Sequence, residues 1–182
     1  MENFTGLIRA LNQIEVTDKK AKRYDFNAAI FYVVKKIKSA SSKGGKIILI
    51  GNGGSASIAS HLATDFLKNA KIPAMAFNDS SLLTCLSNDL GYSQVFAKPV
   101  EMLAKKGDVL FSISSSGKSK NILQATRKAR DLGCFIVSLS SFKPDNPLKR
   151  MGDINFYVPS DSYGYAEITH LAICHYIADC LT

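Results

Sequence analysis

The hydrophobic pattern of the chain changes near residue 45. Before it, segments 4–14 and 26–37 carry apolar residues at helical spacing, and the stretch VTDKKAKRYD between them is expected to be a charged connection. After it, short continuous apolar runs alternate with segments of helical periodicity. This alternation predicts strands over residues 46–50, 73–77, 108–113, 134–139 and 155–158.

Helices are expected between these strands, because Gly, Pro and hydroxyl residues separate the apolar runs from segments of helical spacing. The predicted helices cover residues 57–69, 81–87, 93–104, 120–132 and 165–181, with a short helical piece over 146–151. Apolar strands that alternate with helices are typical of a parallel sheet covered on both faces. We therefore expect an α/β fold, a three-layer αβα sandwich with a parallel five-stranded sheet, preceded by two N-terminal helices.

The length of 182 residues fits one domain over 1–182, with the two helices in 1–42 and the α/β core in 45–182. The terminal helices are apolar on two sides, which suggests that they pack against a partner subunit. Residues 1–42 are therefore expected to serve in oligomerisation.

The charge distribution does not favour a polyanionic macromolecule as partner. The net charge is +8, but the lysines are scattered and no block of five or six appears. We expect a solvated surface and no nucleic-acid partner. No apolar stretch approaches the length of a membrane span, and the four cysteines form no CxxC pair. A cytoplasmic protein with no membrane partner is expected.

Two loops resemble each other and suggest a ligand site. The runs ILIGNGGSAS and LFSISSSGKSKN each end a predicted strand in small residues that lead into a helix. Ligands of open parallel sheets bind beyond the carboxyl ends of strands, where glycines allow close approach and free N–H groups attract anions. A single loop of this kind could be a serine-rich helix cap. Two of them favour a phosphosugar site. The second loop offers Ser114, Ser115, Ser116, Gly117 and Ser119, with Lys118 alongside.

Histidines and carboxylates form a second candidate group. His61 and Asp65 are four residues apart and share a helix face. On the last predicted helix, His170 and His175 are about 140° apart around the axis, so both can hardly face one site. The candidate set is His61, Asp65, Glu167 and one late histidine. Two imidazoles and two carboxylates suit a divalent metal, with zinc the leading candidate. The alternative is a set of ordinary polar residues on the surface or in the core.

Together these segments resemble a known family. GNGGSASIASHLATD, SND at 87–89, ISSSGKS and the ExxHxxxxH pattern of the last helix are similar to the sugar isomerase (SIS) domain family, and within it to the phosphoheptose isomerase branch. The similarity covers essentially the whole chain. It implies a flavodoxin-like fold, a homotetramer and one Zn²⁺ per subunit.

The resemblance also implies roles for individual residues. The metal ligands would be His61, Asp65, Glu167 and His175, with Asp65 and His175 as the catalytic acid/base pair. The family has Glu at position 65 and Gln at 167, so Asp65 and Glu167 depart from its pattern. The substrate would contact Glu167 and the loop residues Asn52, Gly53, Gly54, Ser55, Asn88, Asp89, Ser114, Ser115, Ser116 and Ser119.

The activity implied by this resemblance is an aldose–ketose isomerisation. Sedoheptulose 7-phosphate would be converted into D-glycero-D-manno-heptose 7-phosphate, an early step towards ADP- or GDP-heptose and a surface polysaccharide such as lipopolysaccharide core or capsule. Because of the two departures, an isomerase of a different phosphosugar stays open. A non-catalytic SIS-domain regulator that binds a protein partner or a sugar phosphate is the third alternative.

Overall fold

The computed structural model describes residues 4–182 and contains one mixed sheet. Five neighbouring strands are parallel and confirm the five predicted ones: β3 (Ile47–Ile50), β4 (Ala74–Ala76), β5 (Val109–Ser114), β6 (Phe135–Ser140) and β7 (Ile154–Tyr157). Their spatial order is β4-β3-β5-β6-β7. Numbered along the chain, the parallel strands run 2-1-3-4-5, which is the flavodoxin-like order.

Two short strands were not predicted, so the sheet has seven strands rather than five. The strands β1 (Glu15–Thr17) and β2 (Arg23–Tyr24) form an antiparallel hairpin, and β1 pairs antiparallel with β7. The interpretation of this stretch as a charged connection was wrong. Three- and two-residue strands are too short to show a period of two. Their turn is closed by Asp18, which accepts hydrogen bonds from the N–H groups of Lys20 and Lys22.

Seven α-helices are found in the described residues. They are α1 (Phe4–Asn12), α2 (Phe26–Ser41), α3 (Gly54–Lys68), α4 (Ser80–Leu90), α5 (Ala97–Leu103), α6 (Lys120–Asp131) and α7 (Tyr163–Asp179). The helix predicted over 93–104 is interrupted, because a 3₁₀ turn over Tyr92–Gln94 precedes α5. The helical piece predicted over 146–151 is a 3₁₀ turn over Pro147–Arg150. None of the described helices is long and apolar enough to cross a membrane.

The helices cover both faces of the sheet and confirm the three-layer arrangement. Side chains from α2, α3 and α7 form one apolar cluster with strand residues such as Leu49 and Phe111. Side chains from α5 and α6 form a second cluster on the other face with Ile48 and Leu110. Neighbouring residues of one strand therefore point into opposite clusters, as the pleat requires. A rigid, doubly covered sheet presents the loops at its two edges.

Candidate active site

The first loop brings strand β3 directly into helix α3. Gly53 has φ +54°, a left-handed conformation that glycine adopts without a steric penalty, and α3 begins at the next residue. The helix therefore starts three residues earlier than residue 57, the predicted start. A Cβ atom on Gly54 would overlap the carboxylate of Glu167. Gly54 thus allows α7 to approach the start of α3.

Asn52 is oriented by a reciprocal pair of amides. Its Nδ2 donates to Oδ1 of Asn121 at 3.0 Å, and Nδ2 of Asn121 donates back to Oδ1 of Asn52 at 2.8 Å. The hydroxyl of Tyr92 also donates to Oδ1 of Asn52, at 3.0 Å. Sequence reasoning missed both partners. Asn121 is buried at the start of α6, and an asparagine directly after a serine-rich loop was the one available signal.

The second loop connects β5 to α6 and is held from outside. Gly117 has φ +60°, and a Cβ there would overlap the side chain of Asn146. Asn146 is fully buried and donates to the carbonyl of Ser141 at 3.2 Å and to that of Lys143 at 2.8 Å. The loop is therefore packed at Gly117 against a buried side chain that has hydrogen-bond partners of its own.

The two loops line one cavity of about 220 Å³. Its walls are Asn52, Gly53, Gly54, Ser55, Ile113, Ser114, Ser115, Ser116, Ser119, Tyr163 and Glu167. Ser114 and Ser119 are in hydroxyl contact at 3.3 Å. The buried Oγ of Ser115 has no hydrogen-bond partner within residues 4–182. A buried hydroxyl without a partner is costly unless a ligand or water completes it. The cavity is therefore equipped to bind an anionic or hydroxylated ligand.

His61, Asp65 and His175 come together further along α3 and α7, and His61 lines a second cavity that shares Gly54 and Glu167 with the serine-lined one. Oδ2 of Asp65 lies 3.5 Å from Nε2 of His61 and 3.4 Å from Nδ1 of His175. The two imidazole rings are 5.1 Å apart between centroids. Each of the three residues offers one potential ligand atom, and these three atoms lie within 4.8 Å of one another. Two imidazole nitrogens and one carboxylate oxygen are a donor set that suits zinc, with room for a further ligand.

The fold decides between the two late histidines. His170 is fully buried, and its Nε2 donates to the carbonyl of Ser140 at 3.2 Å. Burial lowers the pKa of His170 to about 4, so this ring is neutral near pH 7. His175 is the histidine that faces Asp65. His170 instead supports the end of β6.

Glu167 lies apart from the three-residue group but connects it with the cavity. It also lines a second cavity, of about 330 Å³, together with His61. Glu167 is half-buried and lines both cavities, so its position is compatible with contact to a ligand. Its part in metal binding stays a prediction. Asn88 and Asp89 are exposed near the end of α4 and are hydrogen-bonded to each other at 2.9 Å. They are not part of the cavity wall in one chain.

The fold is a doubly wound α/β architecture. Its site combines a cavity suited to an anionic ligand with three residues of the kinds that bind metal ions. The SIS domain family model matches residues 16–141, and the chain belongs to the SIS domain family. It is 43% identical over 143 residues to the phosphoheptose isomerase of Helicobacter pylori, covering 75% of this chain and 74% of the relative. The phosphoheptose isomerase of Thermodesulfovibrio yellowstonii is 33% identical and 91% of each chain is covered.

A solved structure supports the same relationship. The phosphoheptose isomerase GmhA from Neisseria gonorrhoeae superposes with a TM-score of 0.86 at 28% identity, covering 98% of this chain and 95% of that one. The similarity therefore includes the two leading helices, which lie partly outside the family match. The expected resemblance to the phosphoheptose isomerase branch is confirmed.

Proposed function

We propose that this protein is an aldose–ketose isomerase that converts sedoheptulose 7-phosphate into D-glycero-D-manno-heptose 7-phosphate. The observation that carries the proposal is that Gly54 and Glu167 line both the serine-lined cavity and the second cavity, which His61 of the three-residue group also lines. Relatives named phosphoheptose isomerase over three quarters or more of the chain support the substrate class. The product would enter nucleotide-activated heptose and surface polysaccharide synthesis.

Phosphate binding is assigned to the loop over 114–119. The first turn of α6 has N–H groups without helical partners, and these favour an anion. The hydroxyls of Ser114, Ser115, Ser116 and Ser119 add donors, and Ser115 has one that is unused in the described part of the chain. Asn52 and Glu167, at the other side of the cavity, would contact sugar hydroxyls. Asn88 and Asp89 would join them only from a neighbouring subunit or after α4 moves.

The reaction needs a proton to move between two neighbouring carbons. A base removes a proton from C1 of the ketose while an acid protonates the carbonyl oxygen on C2, which gives a 1,2-enediol. The hydroxyl proton on O1 then leaves and C2 receives a proton, so that C1 becomes the aldehyde. Asp65 and His175 are the proposed acid/base pair.

His61, Asp65 and His175 would hold one Zn²⁺ per subunit, and Glu167 would approach it if the side chain rotates. When bound, the ion would polarise the carbonyl and hydroxyl oxygens of the sugar. Two carboxylates near a divalent ion neutralise it, which strengthens binding but weakens its Lewis acidity. Because Asp65 and Glu167 would weaken the Lewis acidity in this way, a different phosphosugar remains the alternative substrate.

The test is an isomerisation assay with sedoheptulose 7-phosphate, in which NMR follows the aldose with added zinc and after chelation. We expect turnover that chelation removes, that Asp65→Ala and His175→Ala abolish, and that His170→Gln retains when its folding is verified by circular dichroism. Absence of turnover with zinc bound would contradict the heptose assignment and direct the assay to other sugar phosphates. Absence of both zinc binding and turnover would favour the non-catalytic regulator.

The assembly is proposed to be a homotetramer that uses the helices within residues 1–42. Exposed apolar side chains on α1 and α2 support this: Phe4 is 80% exposed, Ile8 56% and Phe31 65%. Burial of such a surface would stabilise association. Light scattering after size exclusion should give four times the chain mass. Phe31→Glu should lower the measured mass, whereas Lys98→Glu on α5 should not.

A cytoplasmic location is proposed as well, supported by the buried, free thiols of Cys134 and Cys174.

A further inference from the structure

A cavity lies at the edge of the sheet opposite to the proposed active site. It has a volume of about 700 Å³ and is lined by residues that directly precede parallel strands, among them Gly45, Gly107, Cys134 and Asp153. A six-residue strand separates the two edges by about 20 Å. Burial raises the pKa of the Cys134 thiol to about 11, so this part of the wall is uncharged. We call this cavity, with its full wall, the amino-edge cleft.

Cationic side chains that are scattered in sequence converge on the amino-edge cleft. They come from the β1–β2 turn, the second half of α2 and the turn after it, the loop before β5 and the end of α6: Lys19, Lys20, Lys36, Lys43, Lys106 and Arg130. The carboxylates in the same wall are Asp18 and Asp153. Six cations against two carboxylates leave an excess of four positive charges at pH 7. Such a concave positive surface concentrates anions.

Most of these cations are not neutralised within the chain. Lys19 and Arg130 both contact Oδ1 of Asp153, at 3.0 and 3.2 Å. Asp18 is occupied by the backbone N–H groups of its own turn. The other four have no carboxylate partner in residues 4–182: Lys20, Lys36, Lys43 and Lys106. Four like charges gathered in one cleft without counterions are unfavourable, and a multiply charged anion would relieve their repulsion.

One wall of the amino-edge cleft is aromatic. The rings of Tyr32 and Phe135 meet edge to face with centroids 5.7 Å apart, and Tyr32 is 42% exposed. The ammonium of Lys36 lies 5.3 Å from the Tyr32 centroid and 5.6 Å from that of Phe135. An accessible ring beside a lysine can stack on a heterocycle while the lysine contacts a phosphate attached to it.

We propose that the amino-edge cleft binds a nucleoside diphosphate, with its phosphates among the unpaired lysines and its base against Tyr32. Two linked phosphates match the excess charge better than one, and the volume lies in the range of small-molecule sites. The cavity at the other edge of the sheet has no cation in its wall and binds a different ligand. The proposal does not rest on the isomerase activity, because binding is measured without turnover.

The experiment is calorimetry on the full chain with ADP, inorganic pyrophosphate and adenosine as probes. The chain offers a matched pair of double variants, because Lys36 and Lys106 line the cleft whereas their neighbours Lys35 and Lys105 do not. We expect ADP to bind, K36Q/K106Q to weaken it about tenfold or more, and K35Q/K105Q to change it less than about twofold. Tyr32→Leu should lower ADP affinity to that of pyrophosphate, while Phe31→Leu should not.

Several results would overturn the proposal. Equal loss in both double variants would mean that only the overall charge matters. Equal affinity of ADP and pyrophosphate, unaffected by Tyr32→Leu, would remove the nucleoside. Tighter binding of an RNA oligonucleotide than of ADP, lost in K36Q/K106Q, would replace the small ligand by nucleic acid. Failure of ADP to bind while sedoheptulose 7-phosphate is turned over would reject this inference and leave the isomerase function intact.

Discussion

The carboxyl edge and the amino edge of the parallel sheet offer anions different chemistry. At the carboxyl edge, a cavity of about 220 Å³ presents serine hydroxyls and helix N–H groups, with no cationic side chain in its wall. At the amino edge, a cleft of about 700 Å³ presents six Lys and Arg side chains. Hydroxyl and N–H dipoles that are fixed by the fold can position a phosphate for a reaction, since they keep their orientation when it binds. Flexible ammonium groups attract charge without fixing geometry.

The largest expected effect comes from replacing one carboxylate at each edge and comparing the changes in kcat. Asp65→Asn removes a proposed acid/base group, and we expect kcat to fall by about 10² to 10⁴. Asp153→Asn removes the partner of Lys19 and Arg130 at the amino edge, so it should lower the free energy of unfolding but leave kcat within about twofold. Steady-state kinetics and urea unfolding on both variants measure this. A loss of kcat in Asp153→Asn comparable to that in Asp65→Asn would break the comparison.

The edges should also respond to acid in different pH ranges. Burial lowers the pKa of His170 to about 4 from 6.5, so the unfolded chain binds a proton that the folded chain does not. The contribution of the neutral His170 ring to the free energy of unfolding is therefore fully present above pH 6.5. It declines by about 3 kcal/mol as the pH falls towards 4. Asp153 has a lowered pKa despite burial, because the N–H of Ile136 and Lys19 stabilise its charge. Its contribution is present above the unfolded pKa of 3.8 and is lost only below that value.

His170→Gln tests this difference, since glutamine can still donate to the Ser140 carbonyl. The free energy of unfolding of this variant should depend less on pH between 6.5 and 4 than that of the original chain. Parallel slopes for His170→Gln and the original chain would show that the buried ring is not the source.

Within the carboxyl edge, two serines should differ in role. Ser115 has a buried hydroxyl without a described partner, so Ser115→Ala should raise KM for the sugar phosphate about fivefold to tenfold with unfolding unchanged. Ser141 donates at 2.6 Å to the carbonyl of Val158, so Ser141→Ala should cost about 1 to 2 kcal/mol of stability and change KM little. Thermal unfolding and initial rates distinguish them. Destabilisation by Ser115→Ala without a change in KM would show a structural hydroxyl.

The parallel strands and the carboxyl edge could be predicted because their signals are local. Continuous apolar runs marked the five strands, and each serine or glycine loop directly followed one of them. The choice between His170 and His175 could not be made in this way. Helix α7 has buried residues along much of its length, so angular spacing alone did not show which ring faces Asp65. Packing against Ser140 decided it.

The amino edge was less visible in the sequence because its residues are distant from one another along the chain. Lys20, Lys36 and Lys106 belong to a turn, a helix and a loop, and each looked like ordinary solvated surface. The β1–β2 hairpin that brings Lys19 and Lys20 to the cleft has strands too short for periodicity. Asn121 was missed for a similar reason, since its partner Asn52 is 69 residues away.

The smallest effect concerns salt and tests the origin of the attraction. Raising NaCl from about 50 to 300 mM shortens the screening length and should weaken ADP binding at the amino edge about fivefold. KM at the carboxyl edge should change less than about twofold, because in the proposed site hydrogen bonds from the serine loop, rather than unpaired cations, would hold the phosphate. Sodium sulfate at equal ionic strength controls for competition by a divalent anion. A KM that rises as steeply as the ADP dissociation constant would mean that Lys118 or another cation dominates phosphate binding, and that the two edges attract anions in the same way.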